Sequence, residues 1–527
     1  MRSSLTLLVI ATVGLGIFFR AAHLDRKVYW HDEVFTSLRA VGYIGDEVGS
    51  QLFNGEVWET RDLMVYQTLS PERDWGDTWR SLKTHPEHPP LYYLLTRLWI
   101  TWFGSSVAAV RSLSVLFGLL SLPAMYWLTR ELFDPFLTPR VAIALFAVSP
   151  FHVLYAQEAR QYSLWTLTTL LTCAALLRAL RRQTPGSWLI YSATLVLNFY
   201  TSLFSVLTVI VHGLYGLVRA RERIRSQLLP MIGAIALAGI GFLPWLAVLI
   251  GNWDEFQRKT NWTSAQADRA FLAKLWGLHF SSSLVDWGLD ISHPYTYIVP
   301  PLVLILLGYA LYRLYQHRAG TAVQTWLFVS LLIGVPVVAF ILPDLLLGGQ
   351  RSAQTRYFVL AQIGVQLAIA GMIAYHLSQS SGRSRQFGRG LLGVLLVLGI
   401  VSCTLSAQAS TWWNKGVSYL NGAMATVLNS SEAPLVIGVA GDNSLGNIIS
   451  LARASEGNLR FQLLPTDEAP DLVPFEGEQF LFYPSDRLLQ ALQAQESIMV
   501  QPLGLPLDGR LLPEGHALSK LMFTASE

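Results

Sequence analysis

The sequence predicts a polytopic α-helical membrane protein with about 11–13 transmembrane helices, a large first extracytoplasmic loop and a small extracytoplasmic C-terminal α/β domain. Three observations lead there. First, 52% of the residues are hydrophobic and 14% charged, with a mean hydropathy of +0.39, whereas soluble domains carry roughly 25% charged residues. Second, apolar stretches recur along the chain, many near the roughly 20 residues that cover a hydrocarbon core of about 30 Å. Third, the long apolar runs stop near residue 407, and short strand-like segments follow.

Taken in order, the candidate spans are 4–22, 107–128, 140–156, 162–180, 187–201, 203–218, 229–250, 297–315, 324–342, 357–376 and 388–406. The first resembles a secretory leader, but no clean small-x-small cleavage site follows it, so a retained helix is expected. The stretch Pro89–Gly104 is shorter and contains Arg97, which fits a helix lying in the interface. Pro123, Pro244 and Pro336 fall inside spans. Cys173 and Cys403 both sit in apolar runs and read as buried or lipid-facing thiols. A domain division follows: 1–407 forms the membrane domain, with 23–106 as its first outer loop, and 408–527 forms the soluble domain. Within that tail, "APLVIGV" (433–439), "LRFQLL" (459–464) and "EQFLFY" (478–483) read as strands. The run "GVAGDNSLG" (438–446) lacks the dinucleotide spacing and reads as a turn before a helix.

Loop charges orient the spans. One set of loops carries Arg130 and Arg140; Arg178, Arg181 and Arg182; Arg219, Arg221, Arg223 and Arg225; Arg313 and Arg318; and Arg383, Arg385 and Arg389. By the positive-inside rule these loops are cytoplasmic, provided Pro89–Gly104 does not cross. The intervening loops, and everything after 407, then face outward. A net charge of +3, with no separate basic tail, gives no footing for a nucleic-acid partner.

Three polar clusters lie on that outward side. "YWHDEVFT" places Asp32 and Glu33 together after the first span. Either acid suits a positive helix N-terminus. A partly desolvated carboxylate there can also accept a proton or hold a divalent cation. "HPEHPPLYYLL" carries His85, Glu87 and His88 before two prolines. With Asp32 and Glu33, these histidines offer ligands for a divalent ion such as Mg, Mn or Zn, although the spacing matches no specific metal signature. "SPFHVLYAQEARQYSLW" places Glu158 and Arg160 in a very short turn between Tyr155 and Tyr162. This is either a surface ion pair or a phosphate-binding turn. Arg351, Arg356 and Tyr357 in "GGQRSAQTRYF" add guanidinium forks suited to phosphate oxygens.

These segments, in this order, resemble the GT-C class of membrane glycosyltransferases. The resemblance runs through the outward "DE" pair, "HPPLYYLL", "VRSLSVLFGLL", "YWLTRELF" and "SPFHVLYAQEARQYSL", and is clearest over residues 5–180. Within that class the segments resemble bacterial relatives of the protein O-mannosyltransferases and of the lipid A aminoarabinose transferase. The resemblance implies a sugar donor linked to polyprenyl phosphate, a glycan, lipid or protein acceptor, and an active site on the outer face of the plasma (inner) membrane. It implies Asp32 as catalytic carboxylate with Glu33 assisting, and a tentative metal at Asp32, Glu33 and His88. It also implies donor and phosphate contacts from His88, Glu158, Arg160, Arg356 and Tyr357.

Two other readings make different demands. A transporter or flippase of a lipid-linked sugar calls for charged or broken mid-membrane helices and inverted repeats, and no internal repeat is evident. An O-antigen ligase or polymerase calls for key residues in a later, large outer loop. Here the acids cluster in the first.

Overall fold

The computed structural model describes residues 2–133, 137–219, 227–316, 322–467, 472–473, 475–495 and 498–523. Arg221, Arg223, Arg225 and Arg318, expected in cytoplasmic loops, lie outside them. Among the described residues, eight helices are long and apolar enough to cross a membrane: Ser4–Ala21, Val107–Leu132, Tyr162–Arg182, Leu229–Gly251, Tyr295–Gln316, Gln324–Leu347, Thr355–Ser378 and one beginning at Gly382. Thr138–Ala147 and Pro150–Ala156 form a further, broken span bent by 54°. Pro185–Thr201 and Ser205–Arg219 are helical but short, at 17 and 15 residues. Each of the eleven expected segments is therefore helical. Leu91–Phe103 has 13 residues, about 20 Å at 1.5 Å per residue, too short to cross alone.

The chain divides into two compact units. One comprises residues 1–22, 83–92 and 111–407; the other comprises 23–82, 93–110 and 408–527. The first holds the membrane helices.

Within the first unit, the broken helix departs from the continuous span 140–156 that the sequence suggests. Pro150 has no N–H to donate and restrains the residue before it, so the helix stops and restarts there. Breaking a helix in an apolar medium frees backbone groups that must find partners. Besides the local bond from the Ser149 N–H to Phe146 O, partners come from elsewhere in this unit. The Arg20 guanidinium donates to the carbonyls of Phe146 (3.2 Å) and Ala147 (2.5 Å), and also to Gly16 (2.9 Å). Cys403 Sγ donates to the Val148 carbonyl at 3.4 Å. The Phe151 N–H donates to Ser282 O at 3.0 Å, and Ser149 Oγ to Ser283 O at 2.7 Å. Gly16 permits the approach, because a Cβ there would lie 2.4 Å from Ala147 O. Arg20 is fully buried and serves as a remote C-cap for the helix Thr138–Ala147. Cys173 and Cys403 are buried thiols, not joined in a disulfide.

The second unit is built on a six-stranded sheet: β1 (Val57–Glu59), β2 (Leu435–Val439), β3 (Arg460–Leu464), β4 (Gln479–Phe482), β5 (Ile498–Leu507) and β6 (Arg510–Phe523). The strand order is β1-β3-β2-β4-β6-β5. β2 lies parallel to both β3 and β4, and the remaining pairs are antiparallel. β2, β3 and β4 coincide with the three expected strands. β1 comes from the segment expected to form the first outer loop, and residues 23–82 belong to the same compact unit as 408–527. β5 and β6 form a hairpin around Asp508 and Gly509, both at positive φ (44° and 80°), the geometry that favours Asp-Gly in a tight turn. Pro502 and Pro506 are tolerated because β5 is an edge strand. Leu435, Ile437, Leu464, Leu481, Leu488, Leu492 and Leu521 close the core between sheet and helix.

Replacing Arg20 by methionine should lower the thermal unfolding midpoint of the detergent-solubilised protein. It removes the guanidinium donor from three carbonyls, and a buried carbonyl left unsatisfied costs about 1–3 kcal/mol. An unchanged midpoint would show that the helix break does not depend on Arg20.

Candidate active site

In the second unit, the acidic pair opens the helix His31–Ala40. Helix starts leave orphan N–H groups, and here they are answered from both near and far. Glu33 reaches back so that Oε2 accepts from the Trp30 N–H at 3.4 Å, the return half of a capping box. The His31 N–H donates to Ser418 Oγ at 3.0 Å. Glu33 is completely buried, and its Oε2 also receives the ammonium of Lys415 at 3.2 Å, itself 1% exposed. Lys415 lies on the short 3-10 segment Trp413–Ser418, which turns at Gly416 with φ +46°; a left-handed backbone there favours glycine. The His31 ring packs on Phe35, centroids 4.8 Å apart, and over Gly446, where a Cβ would sit 2.3 Å from Nδ1. Between these anchors, Asp32 is half-buried. Its backbone carbonyl accepts from the Thr36 hydroxyl at 3.0 Å.

Glu33 therefore spends its charge on Lys415 and on the helix cap. Among the described residues no three His, Cys, Asp or Glu side chains are grouped to hold a metal ion.

In the first unit, the turn after Ala156 is pinned to the first helix. Gln157 Nε2 donates to Phe19 O (2.7 Å) and Ala22 O (2.8 Å). The Arg160 N–H closes onto Glu158 O at 2.7 Å, and Ser114 Oγ donates to Arg160 O at 3.3 Å while bonded to the Tyr92 hydroxyl at 2.7 Å. Glu158 and Arg160 are buried. The guanidinium of Arg160 and that of Arg356 each lie 5.9 Å from the Tyr162 ring centroid, and Arg356 is also 5.9 Å from that of Tyr357. Tyr155 sits within electrostatic reach of Glu158, Arg356 and Asp286. The structure thus gathers Glu158, Arg160 and Arg356 around two tyrosines, while the Tyr357 ring packs on Phe204 and Phe340, with centroids 4.6 and 5.7 Å away. His88 stands 3.7 Å from the Glu87 carboxylate.

Arg356 is held in place by the segment that precedes it. Asp344 accepts from the Ser352 N–H and hydroxyl, both at 2.7 Å, and from Arg351 at 3.0 Å. Arg351, which the sequence offers as a second phosphate fork, is committed to that acid. His279 Nε2 donates to the Ser352 carbonyl at 3.0 Å, while Nδ1 accepts from the Thr355 hydroxyl at 2.6 Å. These partners specify the neutral Nε2–H tautomer. Burial pushes His279 down to about 4, and the Ser352 bond opposes this.

Lys415, Ser418, His279, Asp344 and Asp286 are absent from the sequence-derived site. The signal for Lys415 was a lone cation between aromatics in "WWNKGVSYL". His279 and Asp344 carried no signal beyond being polar residues close to long apolar runs.

Lys415→Met leaves Glu33 buried and unpaired, a change that typically costs about 3–5 kcal/mol. The double variant Glu33→Gln/Lys415→Met should recover much of that loss in a thermal-unfolding cycle; equal destabilisation of single and double variants would contradict the pairing. His279 gives a pH test. The fold favours its neutral form, so its contribution is complete above its ordinary value of 6.5 and is lost as pH falls through about 4. Unfolding midpoints of His279→Gln should therefore depend less on pH than those of the parent across that window.

Comparison with known proteins places this arrangement. Residues 87–247 match the family model for dolichyl-phosphate-mannose-protein mannosyltransferase, a stretch containing His88, Glu158 and Arg160. No curated protein matches the sequence. Among solved structures, ArnT from Cupriavidus metallidurans bound to undecaprenyl phosphate matches with TM-score 0.53 at 13% identity, covering 100% of this chain and 99% of that one. The apo oligosaccharyltransferase of Archaeoglobus fulgidus matches with TM-score 0.52 at 11% identity over 88% of this chain and 64% of that one. This chain spans only 64% of the archaeal enzyme's length. At such identities the likeness is one of fold. The chain is a multi-pass membrane protein with the GT-C glycosyltransferase fold, and its residues 87–247 match the dolichyl-phosphate-mannose-protein mannosyltransferase model.

Proposed function

We propose that this protein transfers a hexosyl or pentosyl unit from a polyprenyl-phosphate donor to a hydroxyl of an envelope glycan, lipid or protein, with inversion at the anomeric carbon. The observation that supports this reading best is the pair of guanidinium groups, Arg160 and Arg356, flanking Tyr162. Arg160 lies inside the segment that matches the mannosyltransferase family. Two cations beside a buried turn suit a lipid-linked phosphate, whose charge grows as it leaves. The undecaprenyl phosphate in the ArnT structure and the dolichol-phosphate in an archaeal oligosaccharyltransferase complex support the same donor class.

In this reading Asp32 accepts the proton of the acceptor hydroxyl. The acceptor oxygen attacks the anomeric carbon as the bond from that carbon to the phosphate oxygen breaks. Polyprenyl phosphate departs with the bonding pair, and Arg160 and Arg356 stabilise its charge. Glu33 acts as a positioning residue, because its carboxylate is engaged by Lys415 and the Trp30 N–H. Glu158 orders the turn and offsets the local positive charge. His88 and Tyr357 flank the donor. No step is routed through a metal ion, since Glu33 is already committed to an ammonium group. The loop charges support an inner-membrane location with the chemistry and residues 408–527 facing outward.

The test is transfer by the purified full-length protein in nanodiscs from a panel of undecaprenyl-phosphate sugars, with products identified by mass spectrometry. Asp32→Asn should lower turnover by about 10²–10⁴, the usual contribution of a general base. Arg356→Met should lower it by about 10²–10³ by removing one electrostatic donor to the leaving group. Undiminished turnover in Asp32→Asn would remove it as the base. Transport of a lipid-linked sugar without any glycosidic product would overturn the transferase reading.

A further inference from the structure

The second unit contains a cavity of about 280 Å³ that the proposed reaction does not use. It opens at the carboxyl ends of β2 and β4, lined by Val439 and by Phe482 and Tyr483. β2 is followed by the helix Ser444–Ala454 leading to β3 on one side, while β4 lies parallel on the other. The chain therefore changes direction between β2 and β4, the topological switch point where open α/β sheets bind ligands.

The remaining wall is the start of the helix Ser444–Ala454. Its N-cap residue, Asn443, makes no capping side-chain bond, and no acid stands in the first turn. Asn447 is a second, independent pointer. It is 6% exposed and lines the cavity. Its Oδ1 accepts from Ser418 Oγ at 2.6 Å, whereas its Nδ2 has no acceptor among the described residues. A nearly buried amide donor without a partner, facing a cavity, is a group that a ligand would satisfy. Tyr483 holds a positive φ of 44°, rare for a bulky residue.

The lining chemistry selects the ligand class. Donors from Asn447, Asn443 and Ser444 stand with the aromatic rings of Phe482 and Tyr483. Among the described residues no Lys, Arg or His lines the cavity, and Asp442 directly precedes Asn443, which disfavours an anion. Amide donors beside aromatic rings suit a neutral, hydroxylated ring. We propose that this cavity is a saccharide site, and that its occupancy is communicated to the start of the Asp32 helix through Asn447, Ser418 and the His31 N–H. The relay is continuous: His31 N–H donates to Ser418 Oγ at 3.0 Å, and the Ser418 hydroxyl donates to Asn447 Oδ1 at 2.6 Å. A ligand accepting from Nδ2 polarises the amide and strengthens the acceptor at Oδ1. The binding half of the proposal stands apart from the proposed transfer reaction; only the significance of its link to Asp32 rests on that reading.

The experiment uses full-length protein in nanodiscs with the methyl glycosides of glucose, mannose and galactose, and with inorganic phosphate as the anionic control. Binding is read by saturation-transfer NMR. At least one pyranoside should bind and phosphate should not. Ser444→Phe, which fills the cavity from the partly exposed first residue of the helix, should abolish the signal. Asn447→Leu should weaken binding about tenfold, the loss of one good hydrogen bond. Asp32→Asn should leave binding unchanged even though it slows transfer. Hydrogen exchange at residues 29–36 should slow on binding in the parent but not in Ser418→Ala. Binding of phosphate alone, no binding at all, or pyranoside binding indifferent to both cavity variants would overturn the site. Binding without any change in exchange would overturn the relay.

Discussion

The buried ion pair between Glu33 and Lys415 is the constraint on which the second unit depends. Two charges removed from water are costly, and their attraction offsets that cost only when the geometry is good and further hydrogen bonds are made. Here both conditions hold. Glu33 accepts from an ammonium at 3.2 Å and from a backbone N–H. The consequence is topological, because residues 382 positions apart are locked together. The helix that begins at His31 has no Ser, Thr, Asp or Asn at its cap. Its start is made by Glu33 turning back and by Ser418 reaching in. Asp32 sits between these two anchored neighbours, so its direction follows from residues that perform no chemistry themselves.

The membrane unit solves a related problem in the opposite way. Its buried Arg20 serves as a backbone cap, compensating for a helix that Pro150 interrupts. Gln157 does the same for the end of the first helix. Gln362 and Gln366 donate to the carbonyls of His279 and Ser283, at 2.6 and 2.7 Å. In an apolar medium a freed carbonyl has no water to turn to, so long polar side chains act as substitutes. The polar residues of this unit therefore divide into two groups. One repairs broken backbone. The other, Glu158, Arg160 and Arg356 around Tyr155 and Tyr162, is placed by that repair.

Much of this was legible in the sequence, for reasons of physics. Apolar length located the eleven long apolar helical segments, because a bilayer imposes it; the shorter helices of the outer segments, such as His31–Ala40 and Arg269–Ser281, carried no such signal. Alternating loop charge kept Leu91–Phe103 out of the span count, and its 13 residues agree. Three of the six strands appeared as short β-rich runs. What escaped was long-range pairing. β1 has three residues and becomes a strand only because β3 lies beside it. The β5–β6 hairpin also escaped: its turn is an Asp-Gly pair, but two prolines blur the alternation of β5. Lys415 showed only as one cation among aromatics, and nothing local indicated that its partner was Glu33. The residues alone left Asp32 and Glu33 equivalent; only the family resemblance ranked Asp32 first. Burial separates them, giving Glu33 a partner and leaving Asp32 half-exposed.

The central claim is a single displacement in which an acceptor oxygen replaces polyprenyl phosphate at the anomeric carbon. Stereochemistry tests it most directly. The anomeric configuration of the glycosidic product, read by proton-coupled carbon NMR against that of the defined donor, should be inverted. Retention of configuration would require a double displacement through a covalent glycosyl intermediate and would contradict the account.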